Sequence, residues 1–182
     1  FHGRSGYTMS LTNTDPIKTK YFPKFDWPRI NNPYLNFPLT DDVLDDVKDR
    51  EKLAVKQIEK AVKENPDDIA ALIIEPIQGE GGDNHFRCQF FQKLRNLADE
   101  HDFLLIYDEV QTGIGITGKM WAHQHFTPSL CECIPPIEKK PIPDIISFGK
   151  KTQVCGILVG DRIDEIDDNV FKKSSRINST FG

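Results

Sequence analysis

Residues 103–109 read "FLLIYDE", five apolar or aromatic residues without alternation followed by two acids. A run that short, lacking a polar face, reads as a strand buried on both sides. Upstream, "IAALII" (69–74) gives the same signal and ends on Glu75; downstream, "DIISF" (144–148) repeats it and ends on Gly149, Lys150 and Lys151. The apolar run after the two lysines, beyond "TQVCG", reads as a further buried strand.

Helical spacing separates these runs. From Asp41 to Asn65, Leu44, Val47, Leu53, Ile58, Ala61 and Val62 recur among charged residues, and "ENPDD" ends the pattern. From Gln89 to His101, Phe90, Phe91, Leu94, Leu97 and Ala98 mark one face. Strand, helix, strand with continuous apolar strands predicts an α/β fold, a mostly parallel sheet with helices on both faces. Ligands of such sheets bind beyond the carboxyl ends of the strands. Glu75, Asp108, Glu109 and Lys150 are therefore expected to converge there.

The 182 residues suffice for one domain with a sizeable core. With 38% hydrophobic and 28% charged residues and a net charge of −5, the chain has the balance of a soluble globular protein, and no basic patch for nucleic acid is implied. No apolar run approaches 18 residues, so no membrane span is expected. Four cysteines do not form a disulfide framework at this length, and a reducing, cytoplasmic setting is the expectation. Starting at Phe1 and stopping at "NSTFG", the sequence reads as an internal piece of a longer protein.

Two chemistries suit an acid and a lysine at neighbouring strand tips. In a nucleotide hydrolase, "DE" would be the magnesium-binding acid and "GKKT" the end of a phosphate loop. That loop needs a glycine at 144, where Asp144 stands, and the acid precedes the lysine in the wrong order. Pyridoxal phosphate catalysis needs a lysine for covalent anchoring and a carboxylate against the pyridine nitrogen. Asp108 and Lys150 supply both, and an amine displaced by substrate is placed to move a proton.

"IIEPIQGEGG" (73–82), "LLIYDEVQTGIGITGK" (104–119) and "PDIISFGKK" (143–151) closely resemble the class III aminotransferases, pyridoxal phosphate enzymes of fold type I. The resemblance covers residues 1–182 except one insertion and implies that they are part of the cofactor-binding large domain. The phosphate-binding segment would then precede Phe1 and the small domain follow Gly182, and the piece alone is expected to bind cofactor poorly. Within the family, "FHGRSGYTMSLTNT", "FPKFDWPRI", "FGKKTQVCG" and "RINSTFG" are most similar to the branch acting on the ε-amine of L-lysine, more than to the 4-aminobutyrate or ornithine branches. That branch uses L-lysine and 2-oxoglutarate and yields 2-aminoadipate 6-semialdehyde and glutamate. A relative that keeps the fold as a non-catalytic binding protein is the alternative of another class.

The resemblance implies a role for each matching residue. Phe1 matches the aromatic that stacks on the pyridine ring, and His2 is grouped with the cofactor-binding residues. Arg4 matches an arginine that pairs with a substrate carboxylate. Asp108 matches the pyridinium partner, Gln111 the contact to the phenolic oxygen, and Glu75 a residue near the cofactor. Lys150, preceded by the small residue Gly149, matches the covalent lysine, with Lys151 as the alternative. Glu80 resembles a switch carboxylate that pairs with a distant arginine while lysine is bound. Thr180 matches a threonine reaching the cofactor phosphate of a partner subunit, which implies a homodimer with shared sites.

Residues 127–141 form an insertion whose prolines and "EKK" read as an exposed surface loop. With it come His123, His125, Cys131 and Cys133, which have zinc-ligand chemistry. Cys-x-Cys is tighter than most structural zinc spacings, so incidental thiols are the preferred reading and no metal is expected.

Overall fold

The structure, a computed structural model, describes residues 1–13, 15–127, 139–174 and 176. A short helix α1 (Gly6–Leu11) opens the chain. It is followed by the 3-10 turn Pro16–Lys18, where the Asp15 side chain accepts from the Ile17 amide at 3.1 Å. An extended segment then leads to α2 (Asp41–Glu64). Thr40 caps α2 by accepting from the Val43 amide, and Asp41 and Asp42 sit at its positive end. On its outer face Asp45–Lys48, Asp46–Arg50 and Asp49–Lys52 pair one turn apart.

The buried face of α2 carries Val47, Glu51, Ala54 and Ile58. Leu53, expected on that face, is exposed, and the fully buried Glu51 was not anticipated. A buried carboxylate needs partners. Arg87 and Lys93 supply them at 3.5 and 3.0 Å, tying α2 to the next helix.

β1 (Ala71–Ile74), α3 (Cys88–Glu100) and β2 (Leu104–Asp108) form the first crossover unit. β3 (Ile145–Phe148) and β4 (Gly156–Val159) complete a sheet ordered β1-β2-β3-β4, and α4 (Asp161–Asp164) follows. The first three strands are parallel and β4 is antiparallel. β4 corrects one expectation: it is an exposed edge strand rather than a buried one.

Phe90, Phe91, Leu94 and Ala98 of α3 are fully buried against Leu105 and Tyr107 of β2. Phe91 stacks on Phe126 at 4.2 Å and meets Tyr107 edge-on at 5.4 Å, geometries that aromatic quadrupoles favour. Leu104 and Ile106, on the opposite face of β2, are only half-buried, so among the described residues tight cover is confined to one face. Asp144 fixes the start of β3 by accepting from the Leu105 amide at 2.7 Å and from Arg95 at 2.9 Å. These contacts set the register that places Ser147 opposite Asp108.

Candidate active site

Asp108 ends β2 almost fully buried and accepts three hydrogen bonds. His2 Nδ1 lies 2.7 Å from Oδ2, while the Val110 amide and the Ser147 hydroxyl donate to Oδ1, each at 3.1 Å. Burial pushes this carboxyl up, but the His2 contact together with the Val110 and Ser147 donors outweighs it and holds the group below the usual aspartate range. An ionised carboxylate only accepts, so Nδ1 carries the His2 proton. The His2 amide donates to the buried Thr12 hydroxyl, which donates in turn to the Gly3 carbonyl, each at 3.0 Å. Thr12 thereby anchors the segment that carries Phe1 and His2.

The main-chain nitrogen of Phe1 donates to Glu75, which also accepts from the Gly79 amide at 3.2 Å. Gly79 is packed under Gln111, and a Cβ there would fall 2.8 Å from Gln111 Cγ. Gln111 receives both lysines, Lys150 Nζ on its side-chain oxygen and Lys151 Nζ on its carbonyl. Lys150 begins the 3-10 turn after β3 with φ at +46°, a left-handed conformation that costs an ordinary residue about 1 to 2 kcal/mol. Burial and the neighbouring Lys150 charge lower the Lys151 amine, opposed by Glu109.

Six expected residues, Phe1, His2, Glu75, Asp108, Gln111 and Lys150, thus lie in two contact chains joined through Phe1 and His2. Arg4 stands beside them with its guanidinium 5.8 Å from the Phe1 ring centre and no ion-pair partner among the described residues. Glu80 is exposed and paired with Lys18. Thr180, Cys131, Cys133 and positions 128–138 of the expected insertion lie outside the described residues. His123 contacts Glu109 and His125 contacts Thr117.

Glu109 does not join the cluster. It turns away, buried, and accepts from the Thr112 hydroxyl at 2.6 Å, the Ala122 amide at 2.9 Å and the His123 amide at 3.0 Å, with His123 Nδ1 also at 3.0 Å. Burial raises this carboxyl, but those partners together hold it below its usual range. Residues 110–121, which include Gln111, are pinned at both ends by this side chain. Sequence reasoning missed that role, as it missed Ser147, Thr12 and Lys18; the one signal was a hydroxyl inside the apolar run "DIISF". A cavity of 290 Å³ lined by Pro76, His85, Thr117 and Phe126, among others, shares no residue with the cluster.

The aminotransferase class-III family profile matches residues 1–164. The chain belongs to the class III aminotransferases. An L-lysine-epsilon aminotransferase of Mycobacterium bovis is 52% identical over all 182 residues, 100% of this chain and 37% of that protein. A solved lysine aminotransferase from M. tuberculosis in the internal aldimine form superposes with a TM-score of 0.85 at 52% identity, covering 99% of this chain and 38% of that one. A 4-aminobutyrate aminotransferase of Emericella nidulans is more distant, 38% identical over 88% of this chain and 30% of its own length. The chain therefore spans little more than a third of the length of these lysine aminotransferases. The residues present suit the family's cofactor: an ionised, hydrogen-bonded acid, an amine at the neighbouring strand tip and an aromatic ring beside them. Among the described residues Cys155 is a free, exposed thiol. No helix of the described residues is long and apolar enough to cross a membrane.

Proposed function

We propose that the full protein is a pyridoxal phosphate-dependent transaminase that moves the ε-amino group of L-lysine to 2-oxoglutarate, giving 2-aminoadipate 6-semialdehyde and glutamate. The observation that carries the reading is the pairing of β2 with β3, which sets an ionised Asp108 and the Lys150 turn at adjacent strand tips with Gln111 between them. The 52% identity to lysine-specific relatives favours lysine as donor over 4-aminobutyrate or ornithine.

When bound, pyridoxal phosphate would supply an electrophilic carbonyl and a ring able to take up the electron pair released beside the substrate nitrogen. Asp108, kept charged by His2 and Ser147, would hold a proton on the ring nitrogen. His2 acts through Asp108, fixing its orientation. Phe1 would hold the face of the ring, and Gln111 and Glu75 its polar substituents. Lys150 Nζ would anchor the cofactor and, as a free amine, would serve as the proton carrier at the reacting carbon. Arg4 receives a substrate carboxylate through the two parallel N–H groups of its guanidinium.

A homodimer with shared sites, Thr180 serving the partner's cofactor phosphate, belongs to the same proposal. It is supported by the exposed ladder of Tyr7, Phe25 and Trp27, stacked at 5.5 and 5.1 Å.

The test is an absorbance spectrum of the full-length protein with pyridoxal phosphate, before and after L-lysine, in wild type, Lys150→Ala and Lys151→Ala. The wild-type long-wavelength band is expected to form and collapse on adding L-lysine; Lys150→Ala should lack it and Lys151→Ala retain it. Absence of the band in wild type would overturn the enzyme reading in favour of a binding protein. Collapse with 4-aminobutyrate or ornithine but not with L-lysine would overturn the donor.

A further inference from the structure

Gly79 is the plate on which Gln111 rests, and both of its main-chain polar groups are engaged. A Cβ at Gly79 would fall 2.8 Å from Gln111 Cγ and 3.3 Å from Cδ, so the glutamine side chain lies directly on the backbone there. The Gly79 amide donates to Glu75 at 3.2 Å, and its carbonyl accepts from the amides of Gly82 at 3.1 Å and Asp83 at 3.3 Å. Two members of the site are thus held from one residue. The four residues that follow it, 80–83, are exposed, so such fixity needs a cause.

The cause is the way residues 78–84 close on themselves. The amides of Gln78 and Asn84 each donate to the other's carbonyl at 3.0 Å, which shuts the loop at its base. Asn84 Nδ2 then donates to Gln78 Oε1 at 3.0 Å and to the Gly81 carbonyl at 2.9 Å. Asn32 Nδ2 donates to the same Gln78 oxygen, tying the loop to the extended segment ahead of α2. Gly82 and Asp83 both have positive φ, +109° and +53°, and Asp83 takes up that conformation with a side chain. Conformations that cost free energy persist only where the surroundings over-determine them. The Asn84 carboxamide, spanning the loop, meets that requirement.

We infer that Asn84 is a positioning residue: by bracing loop 78–84 it holds Gly79 against Gln111 and so sets how tightly Gln111 engages the cofactor. This rests on the reading of Gln111 as a cofactor contact. Without the carboxamide the two main-chain bonds at the base remain, so the loop stays closed but loses its crossbar. Gly79 is then free to fall away from Gln111. Because the loop is exposed and water replaces part of what is lost, the expected effect is modest, about three- to tenfold in cofactor affinity.

The probe is pyridoxal phosphate, titrated into the full-length apoprotein and followed by fluorescence, with amide hydrogen exchange measured on the same samples. Asn84→Ala is expected to speed exchange at Gly82 and Asp83 about 5- to 30-fold and to weaken cofactor binding about three- to tenfold. Gly82→Ala, whose added methyl meets no atom within 4 Å and so strains only the backbone, is expected to act in the same direction. Neither is expected to weaken binding further once Gln111→Ala is present. If neither variant speeds exchange, Asn84 does not brace the loop and the inference falls. If exchange quickens while cofactor affinity stays at wild type, or the weakening is equal with and without Gln111→Ala, the positioning role is refuted and the Gln111 contact stands. If Gln111→Ala itself binds cofactor like wild type, the Gln111 reading falls and this inference with it.

Discussion

Replacing Glu109 by alanine should loosen residues 110–123 without unfolding the sheet. The carboxylate is 1% exposed and accepts from Thr112, the Ala122 and His123 amides and, in the contact with His123 Nδ1, a side chain. Removing it leaves two backbone N–H groups without acceptors, at about 1 to 3 kcal/mol each when buried. Water entering the vacated space recovers part of that, so the local opening free energy should fall by about 2 to 4 kcal/mol. Amide hydrogen exchange on the full-length protein reads this directly. Exchange at Ala122 and His123 should accelerate roughly 30- to 900-fold, because about 1.4 kcal/mol corresponds to a tenfold change. The Leu105 amide, held by Asp144 at the far end of β2, should change little. Glu109→Gln keeps one acceptor oxygen and should show a smaller acceleration, about 5- to 30-fold. Acceleration below threefold in Glu109→Ala would refute the view that this side chain, rather than the turns themselves, orders the segment carrying Gln111.

Other perturbations test the remaining contacts. Glu109 titrates in the fold below its ordinary value of 4.5, so its stabilisation is fully present above about pH 4.5 and is lost as pH falls through the lower folded value; Glu109→Gln should flatten the acid limb of a stability profile. His2→Leu removes the main partner holding the Asp108 carboxyl down, so the acid edge of cofactor binding, followed spectroscopically, should move to higher pH. Gly79→Ala pushes a methyl to within 2.8 Å of Gln111 Cγ and should weaken cofactor binding about tenfold in a fluorescence titration. Gly156→Ala meets Phe148 Cζ at 2.7 Å and should cost about 1 to 3 kcal/mol in urea denaturation.

The apolar runs "IAALII", "FLLIY" and "DIISF" mark the strands to within two residues because a buried strand leaves no room for a polar side chain. The two helices are as legible because their apolar faces recur at helical spacing. Hidden were the features that depend on which face is covered: Leu53 lies outside and Glu51 inside, since charged partners from α3 turn a buried acid into a tie between helices. The same question decides between the two acids that close "FLLIYDE". Side chains alternate along a strand. Leu105 and Tyr107 face α3, so Glu109 continues their side and reaches His123, whose ring lies 5.9 Å from Tyr107. Asp108 continues the side of Leu104 and Ile106, which is only half-covered, and meets Ser147, its register partner across β3. Adjacent acids in one motif thus divide by parity alone, one ordering the loop and the other meeting His2 and Ser147. Once α3 is known to cover Leu105 and Tyr107, the placement of Asp108 rather than Glu109 on the half-covered face follows from counting residues along β2.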